Sequence, residues 1–107
     1  MGGKNNFKLE YAPIAYEDLD EIFAYIATEL QEPNAAMNLI NEMEAAILKI
    51  PEFPYKWPIA RDAILANKGY RMLPVENFAV FYFVDSEKEI VSIRRILYGK
   101  RNFRWLL

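Results

Sequence analysis

The sequence predicts an α+β domain: one strand, an antiparallel pair of helices, then a three-stranded antiparallel meander. Three observations carry this. Apolar and polar residues alternate near both ends of the chain, two middle stretches repeat apolar residues at helical spacing, and the last three strands are joined by connections too short for a crossover. The chain has 107 residues, room for one core. With 53% hydrophobic and 15% aromatic residues it is too apolar to be disordered. Residues 1–6 read as a loose N-terminal end and residues 7–107 as a single domain.

The first strand is expected over about Phe7 to Ala12, where Phe7-Lys8-Leu9-Glu10-Tyr11 alternates before a turn at Pro13. From Tyr16 the acids Glu17, Asp18, Asp20 and Glu21 crowd a first helical turn, where they favour the positive end of the helix dipole; they read as solvated helix-start acids. Leu19, Ile22, Phe23, Ile26 and Leu30 then recur at helical spacing, and the helix is expected to end near Gln31 because Pro33 cannot continue it. Pro33 suits the start of a second helix, whose Ala36, Leu39, Ile40, Met43, Ile47 and Ile50 line one face until Pro51. So short a break makes the two helices a hairpin with one shared apolar side.

Residues 51–68 hold Pro51, Pro54 and Pro58 between Phe53, Tyr55 and Trp57, and are expected to form a loop with one helical turn around Arg61 to Ala66. Three strands follow, Gly69–Val75, Phe78–Val84 and Glu89–Tyr98, with turns at Glu76-Asn77 and Asp85–Lys88. In the middle strand Phe78, Val80, Tyr82 and Val84 point one way and Ala79, Phe81 and Phe83 the other, so neither face is polar. Helices on one side leave the second face in need of cover. The aromatic tail Phe103 to Leu107, the proline loop, a second copy or another protein chain could each supply it.

Charge is divided along the chain. Residues 1–54 carry three bases and ten acids, a balance of −7, whereas residues 55–107 carry ten bases and five acids, a balance of +5. The basic half suits an anionic partner, or charges that meet the acidic half across the fold. Cysteine and histidine are both absent, which excludes disulfides, thiolate nucleophiles, Cys/His zinc sites and imidazole acid–base chemistry. No metal or cofactor is expected. No apolar run approaches the ~20 residues of a membrane span, and the first residues lack the apolar stretch of a signal peptide, so a cytoplasmic protein without membrane contact is expected.

The strand–helix–helix–meander order resembles the RelE/ParE superfamily, toxins of bacterial type II toxin-antitoxin modules. The residues that carry the resemblance are Gly69-Tyr70-Arg71, Asn77-Phe78-Ala79-Val80-Phe81-Tyr82, and Ile93-Arg94-Arg95-Ile96-Leu97-Tyr98-Gly99-Lys100-Arg101. The resemblance spans Phe7 to about Asn102. It implies a cognate antitoxin whose acidic, amphipathic segment folds around the toxin. It also implies one of two activities: poisoning of DNA gyrase by binding, as in the ParE-like branch, or cleavage of mRNA at the ribosome, as in the RelE-like branch.

RNA cleavage through the 2′-hydroxyl needs a base, a proton donor and cations around the phosphorane. Carried over from the RNase branch, Arg71 matches a basic position on the second strand and Arg101 the arginine after the last strand's glycine. Leu73 and Ala79 stand where that branch has further cations, and Tyr98 stands near the position of a histidine in another RNase branch. The ParE-like reading is therefore expected: a plasmid-stabilisation type toxin that inhibits growth by binding an essential target. The RNase alternative would use Arg71, Arg101, Tyr98 and Glu76. Antitoxin or target binding is expected of Arg94, Tyr98, Lys100, Arg101, Arg104, Phe81 and Phe83. Arg94 and Tyr98 are expected on one face of the last strand, and Arg95, beside Val91, Ile93 and Leu97, is expected to pair with an acid of the helices.

Overall fold

Strand β1 (Lys8–Tyr11) passes through Ala12 straight into helix α1 (Pro13–Ala24), with Pro13 in the first helical turn rather than in a separate turn. Proline's fixed φ and missing N–H suit that position, so the residue expected to make a turn instead starts the helix. The computed structural model describes residues 7–60 and 63–99. Beyond α1 the helix widens into a π turn, Tyr25–Glu29, in which the Leu30 N–H reaches back to the Tyr25 carbonyl at 3.2 Å. The Thr28 hydroxyl donates to the Ala24 carbonyl beside it. Gln31, with φ of 53°, ends the helix in the left-handed region, and the Glu32 N–H closes onto Ile26 O at 3.0 Å.

Helix α2 (Pro33–Leu48) returns beside α1, and a 3-10 turn at Ile50–Glu52 leads into the proline-rich loop. After α3 (Ala63–Asn67) come β2 (Arg71–Val75), β3 (Phe78–Asp85) and β4 (Ile90–Tyr98). The sheet order is β1-β4-β3-β2, with β1 parallel to β4 and the other pairs antiparallel. The parallel pairing follows from the hairpin, which supplies the crossover a parallel neighbour needs.

The main core lies between the helices and one face of the sheet, where Leu19, Met43, Ile47, Val80, Tyr82 and Ile93 meet. The second face is covered by the chain itself. Ala60, Leu65 and Tyr70 pack over Ala79, Phe81 and Leu97, with Met72 and Phe83 half-buried at the margin. Of the covers the apolar alternation of β3 called for, the proline loop of residues 51–68 supplies this one through Ala60 and Leu65, with Tyr70 beside them. The loop also closes the outer edge of β2: Ile59 bridges to Arg71, the Ala60 N–H meets Tyr70 O at 2.9 Å, and the Met72 N–H meets Pro58 O at 3.3 Å.

A bulge governs the last strand. Tyr82 pairs with Ile93 and Phe81 with Arg95, so Arg94 is an extra residue. Before it, Val91 and Ile93 face the helices; after it, Ile96 does, while Leu97 joins the second face. Two expectations change. Arg95 and Leu97 do not continue the face of Val91 and Ile93, and Arg94 and Tyr98 lie on opposite faces of β4, with Arg94 over the Phe83 ring and Tyr98 edge-on to Phe78.

Candidate functional site

β1 pairs with β4 only from Ile90 to Ile93, and its last bond is the Ala12 N–H to Ile93 O at 2.8 Å. The chain then turns away into α1. The rest of β4 keeps its partner β3 on one side and meets α1 on the other. The Gly99 N–H donates to Asn77 O at 2.7 Å, which sets the phase of the antiparallel ladder. Asn77/Gly99 and Ala79/Leu97 are the bonded pairs, so Ile96 and Tyr98 turn their amides and carbonyls away from β3.

Asp18 meets this edge. Its Oδ2 accepts the Ile96 N–H at 2.9 Å and Arg95 Nε at 2.8 Å, while Oδ1 accepts Arg95 Nη2 at 3.0 Å. Asp18 is only 6% exposed, so it is not one of a row of solvated helix-start acids. Bonding to Asp18 raises Arg95 above its ordinary value, against the opposing effect of burial. The expected pairing of Arg95 with a helix acid is thus present, and its partner is Asp18.

Beside this pair opens a cleft of about 830 Å³, walled by α1 and its π turn on one side and by β4 and the β2–β3 turn on the other. Ile22, Tyr25, Ile26, Leu30, Phe78 and Tyr98 give it an apolar lining. Three of these are well exposed at the mouth: Tyr25 at 56%, Leu30 at 52% and Tyr98 at 40%. The π turn aims Tyr25 and Ile26 toward the cleft, and such single-turn widenings are frequent at functional sites.

Among the described residues expected in an RNase site, Arg71 stands apart from Tyr98 and Glu76. Arg71 is half-buried on the helix-facing side, where Nη1 donates to Trp57 O at 2.6 Å and the guanidinium lies 5.1 Å from the Tyr55 ring centre. It straps the proline loop to β2. Tyr98 shares that face, but its row, paired with Phe78, lies four rungs from the Arg71–Tyr82 row, about 13 Å along the sheet. Glu76 sits in the β2–β3 turn with φ of 52°, and its hydrogen bond to Glu42 raises the Glu42 carboxyl above its usual range. Leu73 and Ala79 are buried on opposite faces.

Among the residues expected to bind a partner, Arg94 is exposed on the second face, 5.6 Å above the half-buried Phe83 ring, which in turn packs on Tyr70 at 4.3 Å. Phe81 is 0% exposed and belongs to the core under α3; the expectation that it contacts a partner is corrected on that ground. Lys100, Arg101 and Arg104 lie outside the described residues, as do the tail aromatics Phe103 and Trp105 and the loose end, residues 1–6.

Sequence reasoning missed Asp18 and the cleft. The signal for Asp18 was its place on the apolar stripe of α1, three residues after Ala15, beside Leu19 and four before Ile22. The cleft had no such signal, because it depends on where β1 stops.

The family model described as the ParE toxin of type II toxin-antitoxin system, parDE, matches residues 9–103. No curated protein sequence matches the chain. Among solved structures, a chromosomal ParDE toxin-antitoxin system from P. aeruginosa superposes with a TM-score of 0.74 at 18% identity, covering 89% of this chain and 98% of that one. The isolated E. coli RelE toxin gives 0.62 at 11% identity, covering 94% and 92%. The toxin-antitoxin complex RelBE2 from Mycobacterium tuberculosis gives 0.59 at 19% identity, covering 88% and 92%. At these identities the likeness to the solved structures is one of fold.

Proposed function

The chain belongs to the family of ParE toxins of type II toxin-antitoxin systems, and from that premise we propose that it acts as a ParE-like toxin: it inhibits bacterial growth by binding an essential target such as DNA gyrase and is neutralised by a cognate antitoxin. One observation carries the choice of binding over RNA cleavage. Leu73 and Ala79 occupy cation positions of the RNase branch, and both are core residues on opposite faces of the sheet. A phosphorane needs cations gathered around one point. Among the described residues Arg71 is committed to Trp57 and Tyr55, and Arg94 stands on the other face.

In this reading Arg94, Lys100, Arg101 and Arg104 meet acidic groups of the antitoxin or target, and Phe83 and Tyr98 supply apolar contact beside them. Among the described residues no helix is long and apolar enough to cross a membrane, in keeping with a cytoplasmic site of action. The test sets two assays side by side with purified protein: gyrase supercoiling, and primer extension on ribosome-bound message. Loss of supercoiling with uncut message supports the proposal. Discrete cuts that disappear in Arg101→Ala, with supercoiling unaffected, would replace it with the endoribonuclease reading.

A further inference from the structure

We propose that the target protein of the toxin docks on the surface formed by the proline-rich loop and the C-terminal end of α2, seating an apolar side chain flanked by carboxylates between Phe53 and Trp57. This rests on the target-binding reading above and names the surface and the chemistry of the segment it receives. Three features specify that segment.

The first is shape. A cleft of about 400 Å³ opens between the end of α2 and the loop, with Ala46, Phe53, Trp57 and Leu73 as its apolar lining. Leu73 is buried and Trp57 packs against the main core, so one wall is fixed, while Phe53 is 47% exposed. Leu48, Tyr55 and Ile59 in the same stretch are exposed as well. Large apolar side chains gathered in this way, with charged ones at their rim, mark a protein-binding surface.

The second is rigidity. Pro51, Pro54 and Pro58 restrict the backbone, and the loop is bonded to itself and to the sheet. The Phe53 N–H donates to Ile50 O at 3.1 Å and the Lys56 N–H to Phe53 O at 3.0 Å. From β2, Arg71 Nη1 donates to Trp57 O at 2.6 Å and the Met72 N–H to Pro58 O at 3.3 Å. The rings therefore stand on a backbone that has little freedom left to lose on binding, which suits them as anchors.

The third is charge. Among the described residues the charged groups lining the cleft are Lys49, Glu52 and Lys56, a net charge of +1. Lys56 Nζ lies 5.4 Å from the Trp57 ring centre, which sets one ammonium directly beside the apolar wall. A side chain entering between Phe53 and Trp57 thus meets cations at its flanks, and acids on either side of it are favoured. A protein segment can space its carboxylates to meet Lys49 and Lys56 and avoid Glu52. A nucleic acid carries a phosphate at every residue and has no such choice.

The chain has no cysteine, so Ala45→Cys in the full-length toxin places a single thiol on the exposed turn of α2 that precedes Lys49. Coupled to a photo-activated cross-linker and mixed with purified DNA gyrase, it is expected to link to a segment that carries an apolar residue between acids. Phe53→Ala and Lys49→Glu are each expected to weaken inhibition of supercoiling at least about tenfold while Tm moves by only a few degrees; Lys56→Arg stays within about twofold. Variants that inhibit as the wild type does overturn this docking surface and leave the toxin reading intact. Cross-links to a second toxin chain, or to the small protein encoded by the adjacent reading frame, with none to gyrase, overturn the target as occupant. Binding of a single-stranded oligonucleotide that is lost in Phe53→Ala overturns the protein partner in favour of nucleic acid. A wild-type chain that leaves supercoiling untouched overturns the target reading itself.

Discussion

Asp18 and Arg95, 77 residues apart in sequence, are joined by two bonds of 2.8 and 3.0 Å at the place where β1 leaves the sheet. The same carboxylate takes the Ile96 N–H and so stands in for the strand that is missing there. Removing it with Asp18→Ala deletes three bonds to a buried acceptor and is expected to cost about 3–5 kcal/mol. For a domain of this size that lowers Tm by roughly 12–30 °C, which calorimetry would register. Asp18→Asn retains an oxygen for Ile96 and is expected to lose clearly less. Equal losses for the two substitutions would assign the stability to charge alone.

Arg71 is expected to behave as a strap. Arg71→Ala frees the Trp57 carbonyl and the Tyr55 ring, with an expected cost of about 1–3 kcal/mol. The neighbouring Lys56 is exposed in the same loop, so trypsin should cut after it faster in the variant. If toxicity fell far more than stability, Arg71 would have a direct role in the activity.

Alkaline pH probes two phenols, Tyr82 buried in the core and Tyr11 half-buried at its margin. Burial pushes Tyr82 up to about 12, partly offset by Arg71, and burial together with the Glu44 charge pushes Tyr11 up to about 12. In the unfolded chain both titrate near ~10. The folded state therefore holds the protons more tightly. Their contribution is complete below about pH 10 and is lost as pH rises from about 10 toward 12. Denaturant titrations across that window should show stability falling, with a shallower fall in Tyr82→Phe.

Arg94 offers a test of the second face. Its guanidinium rests on Phe83 at an exposed site, a contact of about 0.5–1 kcal/mol. Arg94→Ala is thus expected to shift Tm by only a few degrees. A much larger loss of antitoxin or target affinity in the same variant would assign Arg94 to the interface; unchanged affinity would leave it a surface contact.

The elements and their order were legible because each follows from local signals. Pro33 and Pro51 bracket α2, the Glu76-Asn77 turn separates β2 from β3, and the two apolar faces of β3 announced that both would be covered. The parallel entry of β1 beside β4 was not legible, since nothing in Lys8–Tyr11 names its neighbour. Asp18 was misread because a row of four acids looks alike until the apolar stripe beneath it is traced. Of the cleft, only Tyr98 was among the residues read as functional, because the cleft depends on where β1 stops. Arg71 and Arg94 were read as polar groups on strands, and the proline loop and the bulge place them away from it.

The extra residue at Arg94 also changes how this strand is to be compared with others. Counted forward from Glu89, every position past Arg94 is assigned to the wrong side; counted back from Gly99, Tyr98, Leu97 and Ile96 fall where they belong. A relative that lacks the insertion would reach the same glycine with its inward and outward residues exchanged upstream of it. A chain aligned by sequence alone can thus match identical residue types at Arg94 and Arg95 while placing them on opposite surfaces. The frame of the strand is set at its glycine end.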